Sequence, residues 1–188
     1  MLVLDILEQH KMDPAKDLQL INLQVSEMPT ALKSGEVDAC AVWTPNFNHL
    51  LKIEGTHVLV DDTQFSLFKQ YGIGPGPDLV VVRRDFAEKN PNATRAFLEA
   101  YFEAVELLKA KPEECAKMLL ELTNLQMADQ MAVLKDIAWY GKNKQRELMK
   151  EPASFVVGMQ KLAEFLERHK QIDKVPTVKD WVNVQVLP

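Results

Sequence analysis

Residues 31–45 read ALKSGEVDACAVWTP, and this stretch decides the fold to expect. A short amphipathic segment runs into Lys33-Ser34-Gly35. Gly35 lacks a Cβ and can take the left-handed conformation that stops a helix. The acidic turn Glu36-Val37-Asp38 comes next, followed by a small apolar run, 39–42, that reads as a strand ending at Trp43 and Pro45. Small side chains suit a strand with helices packed on both faces. Trp43 then emerges at the carboxyl end of that strand, where open α/β sheets bind ligands.

Working outward, the same alternation continues on both sides. Residues 2–12 have helical periodicity, broken by Asp13-Pro14, and 18–23 (LQLINL) read as a short buried strand. A helix over 27–34 ends at Gly35. Residues 45–53 read as a helix stopped by Glu54-Gly55, and 57–60 as a strand before the turn Asp61-Asp62-Thr63. The order α, β, α, β, α, β is that of a parallel or mixed α/β sheet. Residues 64–78 read as a connection, with Gly72, Gly74, Gly76, Pro75 and Pro77 in its second half. The three glycines superficially resemble a phosphate loop. That fingerprint should follow a strand and open a helix, whereas here a strand, 79–82, is expected next. Beyond Arg83-Arg84-Asp85 the pattern is mainly helical. Helices are predicted over 91–109, with Asn90 as cap and Pro91 at the first position, and over 112–122, 126–138, 144–150 and 153–169. The end, 176–188, reads as mostly extended.

Bulk properties narrow the function. The chain has 188 residues, a net charge of −5 and a pI near 5.4, with its charges interspersed. This balance argues against nucleic acid as a partner. No apolar run approaches the roughly 18 residues of a membrane helix. No signal peptide is visible at the amino terminus, and no capping residue precedes Leu2. Cys40 and Cys115 stand far apart and outside any CxxC motif, so they read as free thiols. His10, His49, His57 and His169 show no zinc spacing. No serine lies in a nucleophile elbow and no carboxylate pair stands out, so no catalytic residue, metal or cofactor is assigned.

Three segments carry a family resemblance. The first is ALKSGEVDACAVWTP itself. The second, 78–119, contains DLVVVRRDFAEKNP, then FLEAYFEA, then KPEECA. The third is KLAEFLERHKQIDKVPTVKDWVN, 161–183. In this order they resemble the ABC-transporter solute-binding proteins of the nitrate/sulfonate/taurine class. The resemblance implies a type II periplasmic-binding-protein fold, in which two lobes with mixed sheets flanked by helices close on a ligand. It places 1–70 in an incomplete second, ligand-binding lobe, 71–78 in the crossover or hinge, and 79–188 in the returning, mostly helical part of the first lobe. The chain then corresponds to the later part of such a protein, lacking the N-terminal part. The helix amino terminus that helps hold the anion would lie at or before Met1. Alone, such a chain is expected either to self-associate through its open sheet edge and uncovered apolar face or to fold poorly.

On this reading the ligand-binding candidates are Trp43, Thr44, Asn46, Tyr71 and Tyr140. Trp43 offers an aromatic wall and one N–H donor; a buried core tryptophan is the alternative. Relatives often carry a carboxylate where this chain has Thr44; a neutral hydroxyl removes the charge that would suit a ligand ammonium, which argues against a taurine-like, amine-bearing ligand. Asn46 can face either pocket or solvent. Tyr71 stands at the presumed crossover, where hinge packing is the competing role. Tyr140 belongs to Trp139-Tyr140-Gly141-Lys142, read as a helix end at which Lys142 is either a ligand partner or a solvated cation. The resemblance implies a non-enzymatic, extracytoplasmic binding subunit with a small anionic ligand and an ABC permease as partner. Two other functions compete: a ligand-sensing module of a regulator, and an enzyme similar to thiamin-pyrimidine synthases. The latter's cysteine-rich motif has no counterpart here.

Overall fold

A computed structural model describes residues 1–150 and 154–188. Its helices are α1 (Leu2–Gln9), α2 (Met28–Ser34), α3 (Asn46–Leu50), α4 (Ser66–Tyr71), α5 (Arg84–Lys89), α6 (Pro91–Ala110), α7 (Pro112–Thr123), α8 (Met127–Asp136), α9 (Lys142–Met149) and α10 (Ser154–Arg168), with short 3₁₀ turns between α3 and α4 and near the carboxyl end. Ala153, the expected first residue of the last helix, lies outside the described residues.

The expected α/β architecture with mixed sheets is overturned. Among the described residues there is no strand and no sheet. The four predicted strands, 18–23, 39–42, 57–60 and 79–82, are all non-helical, and none of them exchanges a backbone hydrogen bond with another segment. A strand exists only through its ladder to a neighbour. An apolar, β-prone sequence without one remains an irregular connection. These segments also fail to bury their side chains: Leu59 is 67% exposed and Val81 84%.

The helical punctuation follows the sequence closely. Gly35 has φ 73°, and its N–H donates to the Leu32 carbonyl while that of Glu36 donates to Ala31 at 2.9 Å. This is the paired closure expected of a left-handed glycine stop. Pro112 sits in the first turn of α7, where a missing N–H costs nothing. Asn90 departs from expectation. Its side-chain amide donates back to the Phe86 carbonyl of α5, while its own carbonyl accepts from the Thr94 N–H of α6. Residues 66–71, expected as connection, form α4. No helix opens after Gly76, so the context of a phosphate loop is absent.

The chain divides into two compact units. Unit 1 comprises Met1–Asp5, Asp62–Lys109 and Trp139–Pro188. Its core is Phe65, Ile73 and Leu162, all at most 5% exposed, packed between α4 and α10. Phe65 meets Phe165 edge-on at 6.0 Å, a favourable aromatic geometry. Gly158 of α10 makes this approach possible, because a Cβ there would overlap Ile73 Cγ1 and lie 2.8 Å from Tyr71 Cβ. The buried carboxylate of Asp5 accepts from the Ser66 N–H at 2.9 Å, filling the N-cap role for α4 from a distant position.

Unit 2 comprises Ile6–Asp61 and Ala110–Ala138. Helices α7 and α8 form a hairpin joined by Asn124, in the left-handed region at φ 55°. Cys115, Ala116, Gln130 and Leu134 are buried in it, and the side-chain amide oxygen of Gln130 accepts from the Thr123 hydroxyl at 2.7 Å.

Candidate functional site

The turn that enters α3 holds three of the five candidates in sequence. The Trp43 carbonyl accepts from Phe47 N–H, and Asn46 is the first residue of α3. Two side-chain links tie this turn to α8 within unit 2. Thr44 Oγ1 donates to Asp136 Oδ2 at 2.7 Å. His49 Nε2 lies 3.1 Å from both carboxylate oxygens of Asp129. Trp43 itself is 69% exposed, so the buried-core alternative for it does not hold.

Donor accounting at Thr44 is informative. A threonine hydroxyl has one proton and two lone pairs. With the proton given to Asp136, Thr44 offers only acceptor capacity to anything else. The charge missing at position 44 is present in space, on Asp136. Sequence reasoning did not select Asp129, Asp136 or His49. A signal existed: Asp129 and Asp136 are seven apart, two turns of α8, and so share a face.

The remaining candidates belong to unit 1. Tyr71 ends α4, and its ring packs, half-buried, against the Phe65–Ile73–Leu162 core, so packing is one role it fills. Tyr140 is 45% exposed, and its carbonyl accepts from Gln145 Nε2 at 3.0 Å. The four residues 139–142 do not end a helix. Helix α8 stops at Asp136 and Lys142 is the first residue of α9, so the reading of Lys142 as a cation at a helix C-terminus is corrected.

Burial holds the Cys40 thiol above its ordinary value, which disfavours the thiolate needed for nucleophilic chemistry. Among the described residues no three His, Cys, Asp or Glu side chains come together as a metal-binding group.

A family model described as NMT1-like family matches residues 1–122. The chain belongs to the NMT1-like family. This NMT1-like chain is also 29% identical, over 169 residues, to a protein of Bacillus subtilis (strain 168) named putative aliphatic sulfonates-binding protein, covering 89% of the chain and 46% of that protein. It is 34% identical, over 108 residues, to the taurine-binding periplasmic protein of Escherichia coli (strain K12), covering 57% of the chain and 32% of that protein. The chain thus spans half or less of the length of these relatives. No solved structure matches it. The resemblance to the sulfonate/taurine class of solute-binding proteins, read from 31–45 and 78–119, is borne out.

Proposed function

We propose that this protein acts as the substrate-binding component of an ABC importer for a small anion of the sulfonate or nitrate kind. It acts outside the cytoplasm, in partnership with a permease, and by binding without catalysis. The names of both relatives support binding over the regulatory and thiamin-pyrimidine alternatives. The observation that carries the reading is Trp43, a large aromatic left 69% exposed on a turn otherwise fastened to α8. In this reading the indole supplies a wall and one donor, and Asn46 an amide. Ligand binding shifts a conformational equilibrium toward the state that holds the ligand more tightly.

One observation favours a narrower ligand. A sulfonate oxygen gains nothing from Thr44, whose proton is committed to Asp136. A ligand ammonium would find both an acceptor hydroxyl and a carboxylate there. The narrower ligand is therefore an aminosulfonate.

Tryptophan fluorescence titrated with alkanesulfonates, an aminosulfonate, nitrate and carboxylates tests both statements. Trp43→Ala should weaken the best ligand about tenfold, roughly the loss of one good aromatic contact; unchanged affinity overturns the site. Asp136→Asn should abolish preference for the aminosulfonate over its unaminated analogue. If that preference survives, the narrower ligand is wrong.

A further inference from the structure

We propose that His49 and Asp129 are positioning residues for ligand binding at the 43–46 turn. They hold α3 in one orientation on α8, touch no ligand themselves, and set the fraction of molecules ready to bind. The inference rests on the function proposed above. Helix α3 has five residues, well below the roughly 12 at which a helix begins to hold itself in water, so its order comes from what fastens it. Trp43 shares that order, because its carbonyl accepts the Phe47 N–H at 3.1 Å. Asn46 shares it as the first residue of α3, three positions before His49 and therefore on the same helix face.

The two side-chain fastenings lie at opposite ends of this segment and in opposite order on α8. Thr44, before α3, meets Asp136, the last residue of α8. His49, near the end of α3, meets Asp129 in the first turn of α8. The two acids stand about 10 Å apart along the helix axis, at about 1.5 Å per residue. A segment attached at one point can pivot about it; attached at two separated points, it cannot. Leu50, next to His49, is buried, but apolar contact is non-directional and does not by itself fix which way α3 is turned. The His49 link is directional. One ring nitrogen faces both carboxylate oxygens of Asp129 at 3.1 Å, and that side chain is only 20% exposed. Removing the imidazole therefore leaves the turn to swing on Thr44–Asp136, and Trp43 and Asn46 swing with it. A ligand must then find the ordered fraction, and its apparent affinity falls in proportion.

The chain has three tryptophans, so the test uses the full chain with Trp139→Phe and Trp181→Phe, which leaves Trp43 as the sole indole. Without ligand, His49→Ala and the bulkier His49→Leu should both lower the fluorescence anisotropy of Trp43. His49→Gln keeps a side-chain N–H donor and should hold it near the parent value. Far-ultraviolet spectra and thermal midpoints select the variants that are folded at the temperature of measurement. A role confined to stability would lower the midpoint and leave the anisotropy of the folded chain unchanged, and that result overturns the proposal. Stopped-flow titration with ethanesulfonate and with aminoethanesulfonate gives a second readout. His49→Leu should slow association of the bound sulfonate at least about threefold, with dissociation within about twofold of the parent. A loss carried mainly by dissociation would make His49 a ligand contact and overturn its positioning role. Asp129→Asn keeps an acceptor and should lose less than Asp129→Ala; equal losses would contradict the pairing. A parent chain that binds neither sulfonate refutes the proposed function instead, and the anisotropy of ligand-free Trp43 still decides whether His49 and Asp129 position the turn.

Discussion

Gly158→Ala separates packing from propensity. In an open helix the change would stabilise the chain by about 1 kcal/mol, because alanine loses less backbone freedom on folding. Position 158 is not open. The new Cβ would overlap Ile73 Cγ1 and lie 2.8 Å from Tyr71 Cβ. A Cβ is fixed to its backbone, so Tyr71 can yield only if α4 moves. Ile73 is 2% exposed and sits in the core with Phe65 and Leu162. Overpacking of this kind costs about 1–3 kcal/mol, and two obstructions of which one is immovable place it in the upper half. The net effect should be destabilisation by about 1–2 kcal/mol, a fall in Tm of about 2–8 °C for a chain of this size. Urea unfolding should give a lower midpoint at unchanged slope. In an Ile73→Ala background the penalty should shrink, since one obstruction is gone, and a double-mutant cycle reads that coupling. A stabilised Gly158→Ala chain, or a penalty independent of residue 73, would refute the packing of α10 on α4 and 73.

Asp5→Ala should destabilise unit 1 by about 1–2 kcal/mol, the usual loss of an N-cap, whereas Asp5→Asn should cost less by keeping an acceptor for the Ser66 N–H; equal losses in chemical denaturation would contradict the capping role. Cys40 alkylation should keep accelerating at pH values above the ordinary thiol pKa, because burial raises its own and only the thiolate reacts. A labelling rate that levels off at or below that ordinary value would show the thiol to be unperturbed.

The helices were legible because their signals are local. Gly35 reaches φ 73° because a left-handed residue there closes α2 with two bonds to carbonyls three and five residues back. Pro112 marks the start of α7, and α6 keeps its apolar spacing over 20 residues. The strands were not legible as strands. Composition told that 79–82 avoids helix, but pairing is a property of two segments, and nothing in Leu-Val-Val-Val specifies that a neighbour is within reach. The site divides the same way. Trp43, Thr44 and Asn46 adjoin one another in sequence and are found on one turn. Their fastening to Asp136 and Asp129 spans 92 and 80 positions, and no local pattern encodes which acid meets which donor.

These fastenings also bear on what kind of site the turn can be. A loop that must hold a ligand gains from being ordered before the ligand arrives, since less freedom is then lost on binding. Residues 43–50 are ordered by a hydroxyl and an imidazole on two carboxylates, so the polar groups closest to Trp43 along the turn are already committed. Under the proposed function, recognition at this turn would fall to the groups that the fastening leaves open: the indole face and N–H of Trp43, the amide of Asn46, and the unused lone pairs of Thr44 and Asp136. That set combines one aromatic surface and a few donors with a concentration of acceptors. A simple anion is matched by the first two and opposed by the third. A ligand with an anionic end and a protonated amine would be matched by all of them, so under the proposed function the Thr44–Asp136 contact, more than Trp43 itself, is what would discriminate between the two ligand classes.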